Sequence, residues 1–173
     1  MKFLSINSFE APLSQEIYIS YCQSFPEDER RDFKQFQELF NHKKVDFLSI
    51  VQEEQNIGYL ILWKLNNFAF VEHFEVFNEF RGQNFGTQIL KEISEFYPRI
   101  VLETEPEHLH EVAKRRVLFY RRNGFDIIDY QYIQPSYSRE KNALPLLLLA
   151  NFATTNSKKY VDEIYSHVYK THL

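Results

Sequence analysis

"EVFNEFRGQNFGTQILKEI", residues 75–93, is the stretch on which the reading of this chain turns. It leaves an apolar run of strand character, crosses a short polar loop, and enters a run whose apolar residues recur at helical spacing. The whole sequence holds four glycines, and Gly82 and Gly86 both fall inside that loop. A strand that turns directly into a helix leaves unpaired N–H groups at the helix start. With the helix dipole these attract anions, and glycines let a bulky phosphate approach the main chain. Glycine also serves any sharp βα turn, so two glycines alone leave both readings open.

Working outward, residues 45–77 read as a three-strand antiparallel meander. "VDFLSIVQEE" and "IGYLILWKLN" flank the hairpin signal "EEQN", and "NFAFVEHFEVF" follows Asn66 and Asn67. Upstream, "MKFLSIN" predicts a short strand and residues 14–25 a helix. A second helix is expected to begin at Pro26, with an acidic first turn and Phe33, Phe36 and Phe40 on one face. Downstream of the loop, Phe85 to Tyr97 predicts a helix stopped by Pro98. "RIVLETE" predicts a strand, and "HEVAKRRVLFYRR" a helix ended by Gly124. Two further strands are expected in "FDIIDYQYI" and "LPLLLLANF", and a C-terminal helix over 157–171 as an appended element. The expected class is α/β: one domain over residues 1–173, with a mixed, mostly antiparallel central sheet and helices on both faces.

At 173 residues the chain suits one domain with a real core, and 17 Phe with 11 Tyr predict an aromatic-rich core or ligand groove. A net charge of −4 excludes the basic excess of a nucleic-acid binder. Cys22 is the single cysteine, which excludes a disulfide framework and a cysteine-based metal site. The N-terminus lacks the apolar core of a signal peptide, and "ALPLLLLANF" (143–152) is too short to span a bilayer. The expectation is a cytoplasmic protein with no membrane or nucleic-acid partner.

"FRGQNFGTQIL" resembles the Arg/Gln-x-x-Gly-x-Gly/Ala loop of the GNAT (GCN5-related N-acetyltransferase) superfamily. Arg81 takes the first position, Gly86 the last and Thr87 the small position after it, while Asn84 stands in place of the middle glycine. Asn tolerates left-handed backbone best after Gly, so the turn is expected to survive. "RRVLFYRRNGFDII" resembles the second signature, a helix ending in Phe/Leu-Tyr-x-x-x-Gly-Phe. Ala113 departs from it where many members carry Asn, and Arg116 where a small residue is usual.

The resemblance implies an acetyl-CoA-dependent N-acetyltransferase acting on a small-molecule or peptide amine by direct attack, with no metal and a homodimer compatible. It implies that Phe74, Glu75 and Val76 pair with the pantetheine arm. Arg81, Gly82, Gln83, Asn84, Phe85, Gly86 and Thr87 would cradle the pyrophosphate. Tyr120 would protonate the departing thiolate, against the plain alternative of a packed aromatic. For the base two strand carboxylates stand out, Glu103 and Glu72, since an unpaired buried carboxylate is costly. The structural alternative for either is an open face near the groove, or an ion pair with Arg115 or Arg116. Glu105 shares its side of the strand and suits a cationic substrate. Arg115, Arg116, Arg121, Arg122 and Lys114 form either a phosphate contact or a solvated helix face. Tyr137, Phe33 and Phe36 are candidate specificity contacts, and His73 has no second ligand at metal spacing. A non-catalytic acyl-CoA-binding or interaction module is the alternative that Asn84 and Ala113 favour. A Rossmann binder is excluded, because G-x-G-x-x-G is absent.

Overall fold

The computed structural model describes residues 1–169, and the meander forms as expected from β2 (Val45–Gln52), β3 (Gln55–Lys64) and β4 (Ala69–Val76). The alternation of β3 explains why: Tyr59, Ile61 and Trp63 enter one core layer, and Leu60 and Leu62 enter the other. The β2–β3 turn is made by Glu53 and Glu54, both at positive φ, the backbone that a two-residue hairpin requires.

The remaining strands are β1 (Lys2–Ser5), β5 (Ile100–Thr104), β6 (Asp126–Asp129), β7 (Ile133–Gln134), β8 (Leu144–Pro145) and β9 (Leu147–Ala150). Together with the meander, four of these form a seven-stranded sheet in the order β1-β2-β3-β4-β5-β9-β6, while β7 and β8 pair separately. Only β4 and β5 are parallel within that sheet. The helices are α1 (Pro12–Ser24), α2 (Phe33–Leu39), α3 (Phe85–Phe96), α4 (Glu111–Arg122) and α5 (Lys158–Ile164). Ile17 and Tyr21 of α1, Phe36 of α2 and Ile164 of α5 bury into one face of the sheet; Ile89 and Ile93 of α3 and Val117 of α4 bury into the other. The expected class, a mixed sheet with helices on both faces, is the one observed.

Four expectations change. The second helix does not begin at Pro26: Glu27–Glu29 form a 3₁₀ turn, and α2 starts only after Asp32. Asp32 accepts from the Gln35 N–H at 2.8 Å while Gln35 accepts from the Asp32 N–H at 3.0 Å. This reciprocal cap fixes the later start. The strand expected over 125–133 divides into β6 and β7, because the Asp129 side chain accepts from the Gln131 N–H at 2.8 Å and turns the chain. The strand expected from Leu144 divides likewise into β8 and β9 around Leu146. The C-terminal helix passes from α5 into a π-helical turn, Tyr165–Tyr169, and buries Tyr160, Ile164, Val168 and Tyr169 in the core. Residues 170 and 171 of its expected span lie outside the described residues.

Two features of β4 open the molecule. Its parallel pairing with β5 covers only Ala69–Val71 against Ile100–Leu102. Its register with β3 then skips between Ile61↔His73 and Leu62↔Val71, leaving Glu72 as an extra, bulged residue. From Glu72 to Val76 the strand keeps β3 on one edge and has no strand on the other.

Candidate active site

The separation of β4 from β5 leaves a cleft of about 880 Å³, within the usual range for small-molecule sites. Phe74, Glu75 and Val76 line it from β4, Glu72 from the bulge, Glu103 from β5 and Tyr120 from α4. Arg81, Gly82, Asn84, Phe85, Gly86 and Thr87 close one end. The fold therefore brings the expected site residues together except for Gln83, whose side chain donates to the Glu79 carbonyl at 3.1 Å.

Asn84 holds left-handed backbone (φ 65, ψ 9) and is the N-cap of α3, so the turn forms without the middle glycine. The first helical bond of α3 runs from the Gln88 N–H to the Asn84 carbonyl. The N–H groups of Phe85, Gly86 and Thr87 lie in the first turn, which has no side-chain cap. The glycines divide their labour. Gly82 has φ +76, with open space where a Cβ would stand. A Cβ on Gly86 would lie 3.0 Å from the Phe119 ring of α4, so this glycine also serves close α3–α4 packing. The Arg81 Nε–H donates to the Val76 carbonyl at 2.8 Å, which ties the loop back to the end of β4.

The carboxylates separate by environment. Glu72 is buried and accepts from Arg31 Nε at 2.8 Å, Trp63 Nε1 at 2.6 Å and Tyr137 OH at 2.8 Å. Burial alone would raise its pKa, but the Arg31 guanidinium, His73 and the Trp63 and Tyr137 hydrogen bonds together outweigh this and hold the carboxyl below the usual carboxylate range. Glu103 lacks such a cation. Its Oε1 accepts from the Tyr169 hydroxyl and the Tyr132 hydroxyl also interacts with it; both lower its pKa, but burial outweighs them and pushes it up to about 8. The ion pair considered for it goes to Glu105 instead, which holds Arg116 at 3.2 Å and His110 at 3.2 Å. Glu75 is buried and accepts from Ser20 at 2.9 Å and Ser24 at 2.5 Å.

Tyr120 is buried on α4 beside Phe119 and Phe125. Its hydroxyl makes no hydrogen bond among the described residues, and burial raises its pKa, so the phenol is protonated at neutral pH. Of the aromatic candidates, Phe36 is wholly core and half-exposed Phe33 packs on Phe9 and Tyr18. Tyr137 is committed to Glu72 and walls a second cavity of about 610 Å³. Arg115, Arg116 and Arg122 line the main cleft. Sequence reasoning missed Arg31 and Tyr169, which reach the site from distant segments, and Glu29, which lines the cleft from the 3₁₀ turn. Among the described residues no group of three or more His, Cys, Asp or Glu is placed to hold a metal ion, and no helix is long and apolar enough to cross a membrane.

The Acetyltransferase (GNAT) domain family matches residues 43–127, which contain the meander, the loop and α4. The chain carries a GNAT-family acetyltransferase domain. A solved structure described as a GNAT-family acetyltransferase from Bacteroides thetaiotaomicron superposes with a TM-score of 0.89 at 28% identity, covering 98% of each chain. The ribosomal-protein-S18-alanine N-acetyltransferase of Escherichia coli gives 0.59 at 14% identity, covering 90% of this chain and 97% of that one. A GNAT acetyltransferase of Elizabethkingia anophelis with acetyl-CoA bound gives 0.57 at 15% identity, covering 86% and 95%. These last two show the shared fold alone. No curated protein matches the chain.

Proposed function

We propose that this GNAT domain transfers an acetyl group from acetyl-CoA to a primary amine by direct attack, with Glu103 as the base and Tyr120 as the acid. The observation that carries the proposal is the pairing of two differently tuned groups in one cleft. Glu103 is a carboxyl pushed up to about 8, and Tyr120 is a phenol held protonated. A carboxyl raised toward neutrality suits a base, and a phenol kept protonated suits a donor to a departing thiolate.

The residues present fit the co-substrate. The N–H groups of the α3 first turn, with Arg81 beside them, suit a pyrophosphate. The free edge of β4 over Phe74–Val76 suits the amides of a pantetheine arm, as an added strand would. Acetyl-CoA supplies an acyl group activated as a thioester. Glu103 accepts the proton of the incoming ammonium, so that the nitrogen lone pair is free to form the new C–N bond. As the C–S bond breaks, the new amide nitrogen gives its second proton to solvent, and the Tyr120 hydroxyl gives its proton to the leaving sulfur and regains one from solvent. Glu72, already saturated by Arg31, Trp63 and Tyr137, holds the bulge in place and does not exchange protons at neutral pH. Cys22 lies outside the cleft lining, which fits transfer without an acyl-cysteine.

Amine-dependent thiol release from acetyl-CoA tests this. Tyr120→Phe is expected to lower kcat by about 10²-fold while acetyl-CoA binding is retained, within the usual range for a lost proton donor. An unchanged kcat in that variant would remove Tyr120 from the mechanism.

A further inference from the structure

The half of the cleft away from the phosphate loop has an unusual charge pattern. Glu29 lines it from the 3₁₀ turn, half-buried, and its carboxyl has no hydrogen bond or ion pair among the described residues. Burial, reinforced by the charge of Glu105, pushes the Glu29 pKa up to about 7. Glu103 feels the charges of both Glu72 and Glu29. The cations nearby, Arg116 and His110, are both engaged by Glu105. Two carboxyls in this half are thus held in a destabilised state that a bound cation would relieve.

A second polar group lines the same cleft. His73 is only 4% exposed, lines the cleft, and leaves its Nδ1 buried with no partner, while its Nε2 meets the Tyr21 hydroxyl at 3.2 Å. The bulge at Glu72 brings His73 onto the face occupied by α1, where its ring packs on Tyr21 and Phe25. A buried, unpaired polar atom in a cleft is costly unless something else completes its bonding.

We infer that the acceptor is a small amine with a second cationic group, its reactive nitrogen at Glu103 and its second charge at Glu29. This rests on the proposed acetyl transfer for the role of the first nitrogen, while the second charge is a matter of binding alone. A free carboxylate on the acceptor would face Glu29 and be repelled, so ω-amino acids are poor ligands. Because both carboxyls are partly protonated in the unliganded cleft at neutral pH, binding a dication expels protons into the buffer.

The test is calorimetric titration of the protein, with and without CoA, using 1,4-diaminobutane, n-butylamine and 4-aminobutyrate. The diamine is expected to bind at least ten-fold more tightly than butylamine, and 4-aminobutyrate more weakly than either. Repeating the diamine titration in buffers of different ionisation enthalpy is expected to show proton release. Glu29→Gln is expected to bring the ratio of diamine to butylamine affinity close to one, and Glu29→Lys to reverse the preference. Equal binding of diamine and monoamine, or a ratio unmoved in Glu29→Gln, overturns the inference and leaves acetyl transfer standing. Failure of CoA to bind would count against acetyl transfer, and the amine ratio would still decide the second charge.

Discussion

Replacing Glu103 by Gln separates the role of this carboxyl in catalysis from its cost to the fold. The carboxyl titrates near 8 in the folded protein against 4.5 as its ordinary value, so the folded state binds the extra proton between those two pH values. The sign follows directly. Its contribution is intact below pH 4.5 and is lost progressively as pH rises through 8. At about 1.4 kcal/mol for each unit, ionised Glu103 costs the fold on the order of 5 kcal/mol at pH 9. Gln keeps the shape and an oxygen for the Tyr169 hydroxyl but does not ionise. Thermal unfolding is expected to find Glu103→Gln more stable than wild type at pH 9, by on the order of 10 °C for a chain of this size. The two melting curves should converge toward pH 4.5. Thiol release should fall by about 10² or more in the same variant, the usual loss of a general base. A melting difference independent of pH, or a wild type more stable at pH 9, would refute the reasoning about burial. Retained turnover would refute the assignment as base.

Two further substitutions probe the framework. Glu72→Ala leaves Arg31 buried without its anion and is expected to cost about 3–5 kcal/mol by chemical denaturation. Because the Glu72 pKa is depressed in the fold, its contribution is present above pH 4.5 and lost as pH falls through the folded value. The acid limb of wild-type stability should therefore flatten in Glu72→Gln. Gly58→Ala would set a Cβ 2.1 Å from the Glu75 carbonyl on the neighbouring strand. β3 and β4 would have to part beside the cleft, so a loss of about 3 kcal/mol is expected, at the upper end for overpacking; melting of the purified variant checks it.

The parts legible in the sequence are those whose causes are local. The meander follows from alternation over 45–77, α3 from the spacing of Ile89, Leu90 and Ile93, and the stop after α4 from Gly124 at φ +82. The turn before α3 was legible because Gly82 and Asn84 mark left-handed backbone residue by residue. What escaped depends on partners far apart in the chain. The fate of Glu72 is decided by Arg31, 41 residues earlier, and Tyr137, 65 residues later. That of Glu103 is decided by Tyr169, 66 residues on. No pattern in "FVEHFEV" or "VLETE" distinguishes the saturated carboxylate from the strained one. The late start of α2 did leave a trace, since Asp32 and Gln35 stand at capping-box spacing, but the acidic run before them masked it.

The central claim is that the first turn of α3 and the free edge of β4 hold acetyl-CoA. Calorimetric titration with acetyl-CoA, wild type beside Thr87→Asp, tests it most directly. A carboxylate in the first turn suits the helix dipole, adding about 0.3–1 kcal/mol, and so leaves the fold intact while repelling a pyrophosphate. The account predicts one site in wild type and an affinity at least ten-fold weaker in Thr87→Asp, with melting unchanged or slightly raised. No binding to wild type, or equal binding to both, would contradict it.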